Sequence, residues 1–166
     1  TWQLPEESGQ LNNNGLVLGI YKDVKKSYDV LSNLKHNNYL PYVMAALYAK
    51  KEKWNDAVIL NTEGRLCDTA IANIFIIKDT VVYTPALSEA CVAGVMRQII
   101  VNNLAAVGVE IIEKELSVDE LLNADEVFIT NTIRQIQWVQ SIGDKTYINM
   151  QIQKICALLS FIISPV

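Results

Sequence analysis

Residues 71–85, IANIFIIKDTVVYTP, constrain the fold more than any other stretch of the chain. Two apolar, β-branched runs are separated only by an Asp-Thr pair, which predicts strands over 71–79 and 80–85 around a tight turn. Further strands are expected at 15–21 (GLVLGIY), 56–61 (DAVILN), 109–116 (VEIIEKEL), 126–131 (EVFITN) and 136–143 (IQWVQSIG). Between them lie helical patterns. From Asn37 to Lys51, Tyr39, Leu40, Val43, Met44, Leu47 and Tyr48 recur at three- and four-residue steps, which predicts an amphipathic helix anchored in the core by Val43, Met44 and Leu47. Pro41 fits only in its first turn. Gly94 precedes a second helix over 95–107, Ser117 and Glu120 form a capping-box pattern, and a last helix is expected from Gln151. Residues 22–33 read as a loop, in which Lys25 and Lys26 could begin a helical turn. Strands interspersed with helices give a mixed α/β (α+β) class, with a barrel-like mixed sheet and surrounding helices.

The 166 residues suffice for one domain with a sizeable core. A net charge of −4 argues against a nucleic-acid or acidic-membrane surface. No apolar run approaches a membrane span, and ICALLSFII (155–163) reads as a buried helix. Cys67, Cys91 and Cys156 form no CxxC pair, and His36 is the only histidine, so no metal site is expected. The bland reading of the thiols is reduced cysteines in a cytoplasm. The polar opening, residues 1–14, looks like a linker leading into a domain over 15–166.

Four features could carry chemistry, and each has an ordinary explanation. Lys35 precedes a helix and on its own is a solvated charge. Asp68, between a turn and a strand of small and apolar residues, is a turn or cap residue unless something positive faces it. Gly94 opens a helix whose first amides would suit an anion, though such junctions are common. Thr130, Asn131 and Thr132 end a strand with three polar side chains, either a hydroxyl-rich turn or the wall of a site.

In order and spacing these features resemble the fold-type IV pyridoxal-phosphate enzymes, the class IV aminotransferase family. The resemblance rests on KHNNYL (35–40), DTAIANIF (68–75), TP (84–85), GVMR (94–97) and ADEVFITNT (124–132), and it runs from about residue 30 to 140. It implies that Lys35 forms the aldimine with pyridoxal 5'-phosphate and shuttles the substrate's proton. It further implies that Asp68 pairs with the pyridine nitrogen, that the amides of Val95 and Met96 hold the phosphate with help from the Thr132 hydroxyl, and that Tyr39 hydrogen-bonds the ring's phenolic oxygen. Thr130 and Asn131 would face substrate. Relatives are homodimers, so a homodimer is implied.

Three positions depart from the family pattern. The acid is usually glutamate, position 96 is often a hydroxyl residue, and position 135 is often glycine where this chain has Gln135. The family's smaller N-terminal domain, with an arginine for the phosphate, has no counterpart here, so the chain is expected to be the large C-terminal domain. The LKHxN form of the lysine motif and Asn131 lean towards aminodeoxychorismate lyases, which make 4-aminobenzoate and pyruvate, whereas Tyr39 leans towards the aminotransferases acting on amino acids. A degenerate, non-catalytic domain is the alternative of another class.

Overall fold

A computed structural model of the chain describes residues 11–163. The expected linker over residues 1–14 therefore lies largely outside the described residues. Its end is docked: the Asn12 carboxamide oxygen accepts from the Trp138 amide, and the Trp138 indole N–H donates to the Asn12 carbonyl.

The elements, in order, are β1 (Leu16–Lys26), α1 (Leu40–Lys51), β2 (Asp56–Asn61), β3 (Leu66–Thr69), β4 (Asn73–Lys78), β5 (Val81–Pro85), a 3-10 turn (Leu87–Glu89), α2 (Val95–Ala106), β6 (Ile111–Lys114), α3 (Val118–Leu122), β7 (Glu126–Asn131), β8 (Gln135–Ile142), β9 (Lys145–Thr146) and α4 (Met150–Ile163). The strands form one mixed sheet in the order β3-β2-β1-β8-β7-β4-β5-β6, with β9 on β8. The parallel pairs are β1 with β2, β1 with β8 and β5 with β6, and the rest are antiparallel. The sheet curls until its ends meet, where the Leu66 amide on β3 donates to the Leu116 carbonyl just past β6 at 2.8 Å.

Side chains alternate across each strand, and here both faces are covered. Val58, Leu60, Ile74, Ile76, Val127 and Ile129 point into the curled sheet with Leu18, Leu66 and Leu121. Their alternates Phe75, Ile77 and Phe128 meet Ile100 and Leu104 of α2 and Ile152, Ile155 and Leu159 of α4 on the outside. Phe75 and Phe128 are directly paired across β4 and β7 and stack with centroids 4.7 Å apart. The β4–β5 turn is the expected two-residue one, with Asp79 and Thr80 both at positive φ. Ser117 and Glu120 form the expected capping box. The amides of Gln151 and Ile152 at the start of α4 donate to the buried carboxylate of Glu126, which caps the helix from β7.

Four expectations need correction. β1 does not stop at residue 21. Tyr21 pairs with Ile59 and Lys25 with Leu60, so residues 22–24 bulge and the strand resumes through Lys26. The segment expected as loop thus carries a buried lysine. Asp68 lies within a short strand, β3, rather than in a turn. Of the run 109–116, only Ile111–Lys114 is strand.

The fourth correction concerns α1, which begins at Leu40 and buries the opposite face from the one expected. Ala45 and Ala49 face β1 and β2 with Tyr21, Ala57, Ile59 and Ala70, whereas Leu40, Val43, Met44 and Leu47 are exposed. The physical reason is size. Alanines let the helix axis lie close to the sheet, and the larger tyrosines Tyr42 and Tyr48 fill its flanks.

Candidate active site

A cavity of about 450 Å³ opens where the loop before α1, the end of β3, the start of α2 and the end of β7 converge. Lys35, Tyr39, Asp68, Val95, Met96, Thr130, Asn131 and Thr132 all line it, so residues separated by nearly a hundred positions in the chain share one wall.

Lys35 stands on an exposed loop. The anchor is Asn33, whose carboxamide donates to the carbonyls of Leu87 (2.8 Å) and Cys91 (2.7 Å), while its own carbonyl accepts from the Ala93 amide. These bonds tie the lysine loop to the segment that leads into α2. His36 acts locally, since its Nδ1 accepts from the Asn38 amide at 3.0 Å and tightens the turn after the lysine. Tyr39 caps α1 through its backbone, and its ring lies edge-on to that of Tyr42.

Asp68 is the most constrained group in the wall. Its Oδ2 accepts from Lys26 Nζ (3.3 Å), Tyr42 OH (2.9 Å) and the Val92 amide (3.0 Å), and its Oδ1 accepts from Asn73 Nδ2 (2.9 Å). Burial holds its carboxyl above the usual range, a rise that Lys26, Tyr42 and the Val92 amide offset only in part. Burial, with the neighbouring carboxylate, pushes the Tyr42 phenol far up, so that it remains a donor. Asn73 also donates to the Val92 carbonyl at 2.8 Å, so one carboxamide fixes both the acid and the loop before α2. Gly94 is required beside it, since a Cβ there would lie 2.1 Å from Asn73 Oδ1.

Gly94 is the N-cap of α2, and the amides of Val95 and Met96 that follow have no preceding turn to donate to. Arg97 points away, donating to the Pro85 carbonyl and to Glu113, and so pins α2 on β5 and β6. At the end of β7 the Thr130 hydroxyl is buried with no hydrogen-bond partner among the described residues. The Asn131 carboxamide oxygen accepts from the amides of Ile133 and Arg134, and its nitrogen donates to Ile71 O. Asn131 thus shapes the rim, and Thr132 is exposed beside it. Gln135 sits at φ 55°, which is why glycine suits that position.

Lys26, Tyr42 and Asn33 were not anticipated from the sequence. Tyr42 had a signal, lying one helical turn after Tyr39 and hence on the same face. Lys26 had none, because the bulge before it resets the alternation of β1.

Residues 2–142 fit the amino-transferase class IV family model, and the chain belongs to that family. It is 33% identical over 129 residues to an aminodeoxychorismate lyase of Vibrio harveyi, covering 78% of this chain and 48% of that protein. It is 32% identical over 128 residues to a putative branched-chain-amino-acid aminotransferase of Methanocaldococcus jannaschii, covering 76% and 44%. The chain therefore spans about half the length of these relatives. A crystal structure of a branched-chain aminotransferase from Thermoproteus uzoniensis with norvaline superposes with a TM-score of 0.86 at 26% identity, over 94% of this chain and 53% of that one.

Members of the family are pyridoxal-phosphate-dependent aminotransferases or lyases. The residues present fit that group: an amine, a carboxylate, helix-opening amides and an unpartnered hydroxyl line one cavity. Among the described residues, no helix is long and apolar enough to cross a membrane.

Proposed function

We propose that this chain is the cofactor-holding half of a pyridoxal-phosphate-dependent class IV aminotransferase that acts on an amino acid. The observation that carries the reading is the convergence of Lys35, Asp68 and the opening of α2 on one cavity. Bound there, pyridoxal phosphate supplies an electron sink for the bonds at the substrate's α-carbon. Lys35 holds the cofactor covalently and moves the proton at that α-carbon. Asp68 keeps the proton on the pyridine nitrogen. The Val95 and Met96 amides and the Thr132 hydroxyl bind the phosphate, and Tyr39 donates to the phenolic oxygen. The Thr130 hydroxyl faces the substrate, while Asn131 holds the rim in shape. A homodimer is part of the same reading, supported by the apolar residues α1 turns outward.

Borohydride reduction of the full-length protein loaded with pyridoxal phosphate tests this directly. Peptide mass spectrometry should find the cofactor on Lys35. A Lys35→Ala variant that is still labelled to the same extent sinks the reading. The Vibrio harveyi relative favours aminodeoxychorismate lyase as the second reading. Release of 4-aminobenzoate and pyruvate, against amino transfer to a keto acid, separates the two.

A further inference from the structure

Lys26 comes from a segment with no evident link to the cavity, yet the residue is only 7% exposed and its ammonium ends 3.3 Å from Asp68 Oδ2. It also lies over the Tyr42 ring, 5.2 Å from the centroid. Lys26 does not line the cavity, whereas Asp68 and Tyr42 do. A carboxylate offers about four lone-pair sites. Four donors crowd Oδ2 (Lys26, Tyr42, the Val92 amide and, at 3.8 Å, the Cys67 thiol), and Asn73 alone among the described residues donates to Oδ1, so the open site of Asp68 is on Oδ1. A carboxyl only 2% exposed would take up a proton unless a positive charge faced it.

We propose that Lys26 is a positioning residue that holds Asp68 as an anion, with Oδ2 occupied and Oδ1 free to accept a hydrogen bond from a protonated heteroaromatic nitrogen in the cavity. The last part rests on the function proposed above; the state of Asp68 does not. The shorter acid then works because its charge is fixed from the side away from the ligand. The other titratable groups facing Asp68 are Tyr42 on α1, Cys67 on β3 and Cys91 in the loop before α2. Burial first, and Asp68 second, push Tyr42 and Cys91 up, the latter to about 12, and the same burial pushes Cys67 well above its usual value. All three remain neutral near pH 7, which leaves Lys26 as the cation in contact with Asp68 among the described residues.

The test is carboxyl carbon-13 NMR of the full-length protein before cofactor is added, with the Asp68 resonance assigned through Asp68→Asn. Wild-type Asp68 should be ionised at pH 7. Lys26→Met should move its titration up by about two units, the scale of losing an adjacent opposite charge, and Lys26→Arg should restore it. A wild-type Asp68 that is protonated at pH 7, or a Lys26→Met titration indistinguishable from wild type, overturns the proposal. The first criterion needs no variant to fold. Borohydride labelling of Lys35 reports separately on the function, so the two can fail independently.

Discussion

Gly94 and Asn73 are packed so closely that no side chain fits between them: a Cβ on residue 94 would lie 2.1 Å from the Asn73 carboxamide oxygen. The backbone of Gly94 is at φ −68°, so conformational freedom is not what the position demands. Space is. Gly94→Ala should displace Asn73 from Asp68 and from the Val92 carbonyl. An overpacked contact of this kind costs about 1–3 kcal/mol. Urea unfolding should show that loss, and cofactor affinity should fall with it.

Glu126 predicts a larger effect. Its carboxylate is buried and accepts from two amides at the start of α4. Glu126→Ala leaves both donors unsatisfied at a helix terminus, which costs about 2–4 kcal/mol when charge-assisted bonds are lost. The denaturation midpoint should drop accordingly, while α2 and the cavity wall stay in place. Equal midpoints for variant and wild type would refute this account of the cap.

Gln135→Gly should act in the opposite direction. A non-glycine residue at φ 55° carries strain that glycine relieves, and the gain is about 0.5–1 kcal/mol after the added freedom of the unfolded chain. Thermal melts of the pair should rank the glycine variant higher.

The pH dependence has a definite sign at Asp125. Lys78, followed by the Asp79 amide, holds its carboxyl below the usual range. A depressed folded value means the contribution is present above the unfolded value near 3.8 and is lost as pH falls through the lower folded one. The pair is nearly half exposed, so solvent keeps the contribution under about 1 kcal/mol. Asp125→Asn should remove that portion of the acid limb in a stability-versus-pH series.

Leu47 is 57% exposed on α1. Leu47→Glu should change stability by less than about 0.5 kcal/mol in the monomer. In a homodimer that uses this face, the same change should weaken association, which sedimentation would report. A monomer destabilised by several times that amount would mean the leucine is a core residue after all.

The hairpin over 71–85 was legible because its turn length and β-branched runs act locally. The cavity was legible through the order of motifs that the family resemblance collected. What was hidden has a common cause, namely that burial depends on a partner surface elsewhere in the chain. LPYVMAALYA is apolar on nearly every face, so periodicity finds the helix but not the side that docks, and Ala45 and Ala49 prevail by being small. Likewise Lys22, Asp23 and Lys25 make β1 look like a loop, since only pairing with β2 reveals a bulge and a resumed strand. Lys26 reads as polar surface until Asp68, forty-two residues away, is folded against it.

The meeting of Leu66 and Leu116 has a mechanical consequence. Both leucines are fully buried in the inner core and joined by a backbone hydrogen bond, so closure of the curl also braces the outermost strand, β3, on which Asp68 lies two residues away. The acid of the site is thereby held from the seam of the sheet, whereas the Phe75–Phe128 stack lies between other strands, β4 and β7. A substitution that opens the seam should therefore cost ligand binding before it disturbs that aromatic layer.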